Sequence, residues 1–186
     1  MRYMAIAIAI ILSTTAAIAG GALLQPTQAH ATDAKVWQGP YIGLSAQLAD
    51  DERSFGPGGL FRFDERTTSG FVNIGYNWQF NRVVAGLSAG VGHGFDGSIF
   101  FNNPEIFYEG KARIGYLITN RFLAYTGAAI QAKQFDTLPD INSVYGLAGA
   151  EVRVNDRWSV YGEARHSLDM DEGGTAVMTG INLRLW

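Results

Sequence analysis

From Val36 onward the apolar residues of this chain recur at every second position, in segments of about ten residues or more. That period belongs to a strand, whose successive side chains point to opposite faces. Between Ile106 and Thr119 one row reads Ile106, Tyr108, Gly110, Ala112, Ile114, Tyr116, Ile118, and the other Phe107, Glu109, Lys111, Arg113, Gly115, Leu117, Thr119. Val72, Ile74, Tyr76, Trp78 and Phe80 alternate with Asn73, Asn77 and Gln79 in the same way. Val83, Ala85, Leu87, Ala89 and Val91 face away from Gly86, Ser88 and Gly90, while Val144, Ala148, Ala150, Val152 and Val154 oppose Glu151 and Arg153. Helical periodicity is weak, and 23 glycines in 186 residues, about 12% against a usual 7%, oppose long helices. The chain reads as all-β.

Eight strands are expected, near 40–50, 66–80, 82–92, 105–119, 121–132, 142–155, 157–167 and 175–186. Their connections alternate in length. Asp51 to Glu65, His93 to Pro104, Lys133 to Ile141 and Leu168 to Gly174 are long. Asn81-Arg82, Asn120-Arg121 and Asn155-Asp156-Arg157 are tight, and each places Asn or Asp before Arg and an apolar residue. Asn and Asp tolerate the left-handed backbone that tight hairpins need. Long connections at one end and short ones at the other, with both termini at the short end, describe an eight-stranded antiparallel up-and-down meander. Transmembrane β-barrels have this arrangement of short periplasmic turns and longer external loops.

The first residues read as an export signal. Met1-Arg2-Tyr3-Met4 carries one positive charge, Ala5 to Ala19 is apolar and uncharged, and Ala29-His30-Ala31 supplies the small-x-small pattern of a cleavage site. The expected division is therefore 1–31 signal peptide and 32–186 barrel, with cleavage set by Ala29 and Ala31. An uncleaved membrane anchor is the alternative, on an apolar run that is short for a spanning helix. Removing Arg2 with the signal leaves 13 bases against 17 acids, so no nucleic-acid partner is expected. With no cysteine there is no disulfide framework, iron–sulfur cluster or cysteine-rich zinc site.

Alternation by itself does not separate a membrane barrel from a soluble one. Three features favour the membrane: strands long enough to cross at a tilt, aromatics near strand ends (Trp37, Tyr41, Trp78, Phe80, Tyr108, Phe122, Trp158, Trp186), and a last strand running to a terminal aromatic. With the apolar rows toward lipid, the inward charged set is Glu109, Lys111, Arg113, Glu151, Arg153, Glu163, Arg165 and Arg184. An unpaired ion is costly in such confinement, so Glu–Arg and Glu–Lys pairs bridging opposite walls are expected. An eight-stranded barrel is just wide enough for side chains to fill it. The competing reading, from the excess of two bases in that set, is a narrow conduit favouring anions.

Trp37-Gln38-Gly39-Pro40-Tyr41-Ile42-Gly43-Leu44 resembles the opening strand of small porin-family outer-membrane proteins. Gly75-Tyr76-Asn77-Trp78-Gln79 and Lys111-Ala112-Arg113-Ile114-Gly115-Tyr116 resemble that group's second and fourth strands, and Tyr125-Thr126-Gly127 and Trp158 to Arg165 its fifth and seventh. The order and spacing of these segments carry the resemblance, which is to the OmpA-like barrels that include surface antigens of Gram-negative bacteria. It implies residence in the cell outer membrane, contact with outer-membrane lipid and lipopolysaccharide, and passage through periplasmic chaperones and the barrel-assembly machinery. That machinery reads a terminal aromatic in phase with the outward row. Here Ile181, Leu183 and Leu185 form the row and Trp186 falls one residue out of phase, which weakens the assembly signal. The eighth strand reaches the last residue, so no periplasmic peptidoglycan-binding domain is expected.

Candidates for chemistry mostly fail. His166-Ser167, beside Glu163 and Asp169, invites comparison with the lipid A deacylases, also eight-stranded barrels. Adjacent strand residues point to opposite faces, however, and a nucleophile needs its base within hydrogen-bond reach. Gly90-Val91-Gly92-His93-Gly94 lacks the spacing of a dinucleotide fingerprint and a following helix. Asp169-Met170-Asp171-Glu172-Gly173 lacks the spacing of a calcium loop, and His30, His93 and His166 show no metal-ligand spacing. No enzyme activity, catalytic residue, cofactor or resident metal is expected. Long loops bearing Phe55, Phe61, Phe63, Phe95, Phe100 and Phe101 are where a host or surface ligand would bind. The resulting expectation is a non-enzymatic barrel with a structural and surface-presentation role in the envelope. A porin-like conduit is the first alternative and a lipid A-modifying enzyme the second.

Overall fold

A computed structural model describes residues 35–55, 61–95, 106–134, 141–168 and 173–185. The expected signal segment with Ala29 and Ala31, the acidic run at 169–172 and Trp186 lie outside the described residues.

Eight strands follow one another: β1 (Gly39–Phe55), β2 (Phe61–Phe80), β3 (Val83–Gly94), β4 (Ile106–Thr119), β5 (Phe122–Gln134), β6 (Ile141–Arg153), β7 (Trp158–Ser167) and β8 (Gly173–Arg184). Each pairs antiparallel with its neighbours in sequence, and β1 closes on β8 from Tyr41↔Arg184 to Glu52↔Gly173. Closure gives every strand a hydrogen-bonding neighbour on both sides around the wall, below the outer part of the β1–β2 hairpin. A sheet can meet hydrocarbon only under that condition.

The tight turns are built from the side chains at their bases. Asn81 takes φ 54°, the left-handed region that Asn tolerates, and its carbonyl accepts a hydrogen bond from Gln79 Nε2 at 2.9 Å. Thr119 Oγ1 accepts from the amides of Arg121 and Phe122 at 3.2 and 3.1 Å, beside a register shift between Leu117 and Thr119. Asn155 Oδ1 accepts from the amides of Arg157 and Trp158, both at 2.9 Å.

One connection differs from expectation. The segment Asp51 to Glu65, expected as a long loop, is largely a hairpin: β1 and β2 stay in register from Asp50↔Arg66 to Phe55↔Phe61. Loss of apolar alternation suggested a strand end, but a strand needs that alternation only where one face meets hydrocarbon or a core. β1 is held on its other side by β8 as far as Glu52, which carries the ladder upward without it.

The polarity of the barrel is inverted. Its outer wall carries Ile74 (62% exposed), Leu87, Ile114, Ile130 and Phe80 (65% exposed), and its interior carries Glu151 (1%) and Arg165 (2%). In water, such a surface would be an apolar patch far larger than a soluble monomer shows. With the ions inside and the greasy row outside, this is the architecture of a transmembrane β-barrel.

Candidate functional site: the charged lumen

The inward row of β4 sets three charges one above another, Glu109, Lys111 and Arg113, because alternate residues of a strand share a face. β7 contributes Glu163 and Arg165 from its inward row, and β6 contributes Glu151. These six residues meet across the lumen in two tiers.

In the tier nearer the short turns, Arg113 Nη1 donates to Glu151 Oε2 at 2.7 Å. The same carboxylate accepts from Ser159 Oγ, and from Asn182 Nδ2 at 3.0 Å. Arg113 Nη2 donates to Asn77 Oδ1 at 3.2 Å, and its guanidinium lies 4.9 Å from the centre of the Tyr125 ring and 5.6 Å from that of Tyr41. A planar cation between two aromatic faces regains part of the solvation it gave up.

In the upper tier Arg165 is the hub. Its Nη1 donates to Glu109 Oε2 at 2.5 Å and to Gln47 Oε1 at 3.1 Å, and its Nε donates to Glu163 Oε1 at 2.7 Å. Lys111 Nζ approaches the other oxygen of Glu163 at 3.3 Å, and the Tyr125 hydroxyl donates to that oxygen at 2.9 Å. Gln131 Nε2 bridges Gln47 Oε1 and Glu109 Oε2 at 3.0 and 2.9 Å. Each carboxylate in both tiers is therefore ion-paired and hydrogen-bonded, which a buried carboxylate requires.

Arg153 and Arg184, expected in the same inward set, lie on the inward rows but make no ion pair across the lumen. Both sit at the short-turn mouth: Arg153 Nη2 pairs with Asp156 of the adjoining turn at 3.1 Å, and Arg184 Nη1 donates to the carbonyl of Val36. The cross-lumen network thus holds Glu109, Glu151 and Glu163 against Lys111, Arg113 and Arg165. The base excess that suggested an anion-favouring conduit belongs to the mouth.

Trp37 and Tyr41, expected among the interfacial aromatics, are inside. Trp37 is fully buried, its amide donating to Gln79 Oε1 at 2.8 Å and its Nε1 to the carbonyl of Asn120 at 3.1 Å. Tyr41 shares its row with Gly43 and the buried Gln47, and that parity places it inward. Trp78, Phe80, Tyr108, Tyr116 and Trp158 are outward and exposed.

Aromatic rings and inward glycines interlock. A Cβ on Gly75 would lie 2.4 Å from Tyr41 Cζ, one on Gly149 2.8 Å from both Tyr125 Cζ and Glu163 Cβ, and one on Gly180 2.7 Å from Tyr161 Cε1. Phe71 fills the space over Gly92 in the same way. Much of the glycine excess thus makes room for rings in a narrow lumen. Tyr125, Asn77, Ser159 and Asn182 are partners of the charges beyond the expected set, and membership of the polar rows is the signal in the sequence that points to Asn77 and Asn182.

Of the chemistry candidates, His166 faces outward and exposed while Ser167 faces inward and is buried, so the two do not form a dyad. His93 lies on β3 with its ring stacked 5.8 Å from that of Phe95. Of the residues expected to form the assembly signal, Ile181 and Leu185 are exposed, and Leu183 is half-buried in the row between them.

No protein-family model and no curated protein matches this sequence. Among solved structures the chain is similar to Neisserial surface protein A, at 14% identity over 78% of this chain and 97% of that one, with a TM-score of 0.51. It is also similar to Ail, the attachment invasion locus protein of Yersinia pestis, at 15% identity over 80% of this chain and 99% of that one, with a TM-score of 0.52. The likeness is one of fold: a small closed barrel of the kind those bacterial proteins form.

Proposed function

We propose that this protein is a non-enzymatic outer-membrane barrel of a Gram-negative envelope, exported by a cleaved signal, with a structural and surface-presenting role. The observation that carries the reading is the inversion of polarity: apolar rows around the wall enclose a lumen filled by balanced ion pairs. Such a lumen serves as the core of an inside-out protein and holds the wall in register. The two proteins of similar fold are described as a surface protein and as an attachment invasion locus protein, and presentation of the loop end at the cell surface is the corresponding role here. Outer-membrane lipid and lipopolysaccharide are the proposed surroundings. The barrel-assembly machinery with periplasmic chaperones is the proposed route, and a host or surface ligand would meet the loops.

Two measurements test this. In outer-membrane fractions the folded barrel should change gel mobility on boiling; recovery only in the soluble periplasmic fraction would reject the location. In planar bilayers the protein should give no single-channel steps. Steps that change with Arg165→Ala would favour the conduit reading instead.

A further inference from the structure

The short-turn mouth carries a charge pattern that the lumen network does not use. Arg153 ends β6 and Arg184 ends β8 on the lumen-facing row, and Arg121 and Arg157 are exposed residues of the turns that lead directly into β5 and β7. They face one another in cross-strand pairs. The Arg153 amide donates to the Arg121 carbonyl at 2.8 Å, and the Arg184 amide to the Arg157 carbonyl at 2.8 Å. Like charges directly opposite on neighbouring strands oppose folding, so this arrangement needs a compensating partner.

The protein supplies little of one. Asp156, the acid of the adjoining turn, is fully exposed in its pair with Arg153, a weak kind of bridge, and Glu151, two residues below Arg153, is already engaged by Arg113, Ser159 and Asn182. Arg184 is 6% exposed and its Nη2 has no hydrogen-bond partner among the protein atoms. Arg153 is similarly placed, with a side chain 10% exposed and an unpartnered Nε. Trp37 is fully buried beside them, its ring 4.5 Å from the Arg184 guanidinium carbon. The mouth thus gathers four arginines beside a buried indole.

We propose that Arg121, Arg153, Arg157 and Arg184 form a binding site for an oxyanion of the phosphate class. A tetrahedral phosphate presents several acceptor oxygens, matches the guanidinium fork and relieves the repulsion between both arginine pairs. Its source is either a free phosphate or the head group of an anionic phospholipid in the leaflet at this end.

The test has two arms. In maltoside micelles, which contain no phosphate, the arginine Nε–H resonances are followed by NMR while inorganic phosphate is added. Those of Arg153 and Arg184 should shift saturably, and Arg121→Gln should weaken binding about fivefold or more. Arg82→Gln, the same charge change in the β2–β3 turn, should alter it less than about twofold. In nanodiscs of equal phosphatidylglycerol and phosphatidylcholine, native mass spectrometry should find phosphatidylglycerol retained by the wild type and released by Arg121→Gln. Binding in the first arm alone assigns a free phosphate, and retention in the second assigns the head group. Absence of both, or equal weakening by Arg82→Gln, overturns the site. Arg121 is exposed and its side chain makes no ion pair among the described residues, so its variant should still fold, as heat-modified gel mobility would verify.

Discussion

Arg165 on β7 spans the lumen to Glu109 on β4, with Nη1 2.5 Å from Oε2 and Nη2 3.2 Å from Oε1. The two are 56 residues apart in sequence and three strands apart in the wall. A forked contact of this length ties one side of the cylinder to the other, and it forms only once the barrel is closed.

Replacing Arg165 by Met should therefore lower stability by about 3–5 kcal/mol, because Glu109 and Glu163 lose their shared cation while remaining buried. Adding Glu109→Gln to that variant should recover part of the loss. Urea unfolding in lipid vesicles, followed by tryptophan fluorescence, checks both; equal stability of Arg165→Met and wild type would remove the network from the account of folding.

Gly149→Ala should destabilise by about 1–3 kcal/mol, since the added carbon meets Gly162 O at 2.6 Å and Tyr125 Cζ at 2.8 Å. Gly146→Ala on the same strand faces outward, where the nearest atom is Leu168 Cδ2 at 3.4 Å, and should be nearly neutral. The same unfolding measurement compares them.

Lipid contact gives a third expectation. Leu87→Arg, well inside the apolar band of β3, should cost about 2–4 kcal/mol in a bilayer, whereas Val83→Arg at the short-turn rim should cost about 0–1 kcal/mol. Equal costs for the two variants would place the hydrocarbon band somewhere other than around this wall.

The turn at Asn81 supplies a fourth. Asn81→Val should slow hairpin formation and cost about 1–2 kcal/mol, because a β-branched residue fits the left-handed region poorly. Asn81→Gly should be tolerated. Refolding rates into micelles after dilution from urea separate the two.

Much of this molecule is legible in residue order, for a geometric reason. A strand repeats every two residues, so the sequence itself sorts each segment into a wet row and a greasy row. The alternation of Glu109, Lys111 and Arg113 with Tyr108, Ala112 and Ile114 settles which side chains share a face before any partner strand is known. The Asn and Arg motifs likewise mark tight turns through local chemistry, the left-handed backbone at Asn81 in one and the Asn155 Oδ1 that accepts the amides of Arg157 and Trp158 in another.

What a strand's own residues cannot specify is what lies across the lumen from them. That Glu151 meets Arg113 and Glu163 meets both Lys111 and Arg165 depends on which strands come to face each other in the closed cylinder. The inward turn of Trp37, the rings of Tyr41 and Tyr125 over Gly75 and Gly149, and the crowding of Arg121, Arg153, Arg157 and Arg184 at one mouth share this origin. Row membership is a property of one strand, whereas partnership is a property of curvature and register summed over eight. The amino-acid order therefore determined an inside-out barrel, and only closure decided how its buried charges are matched and where unmatched ones gather.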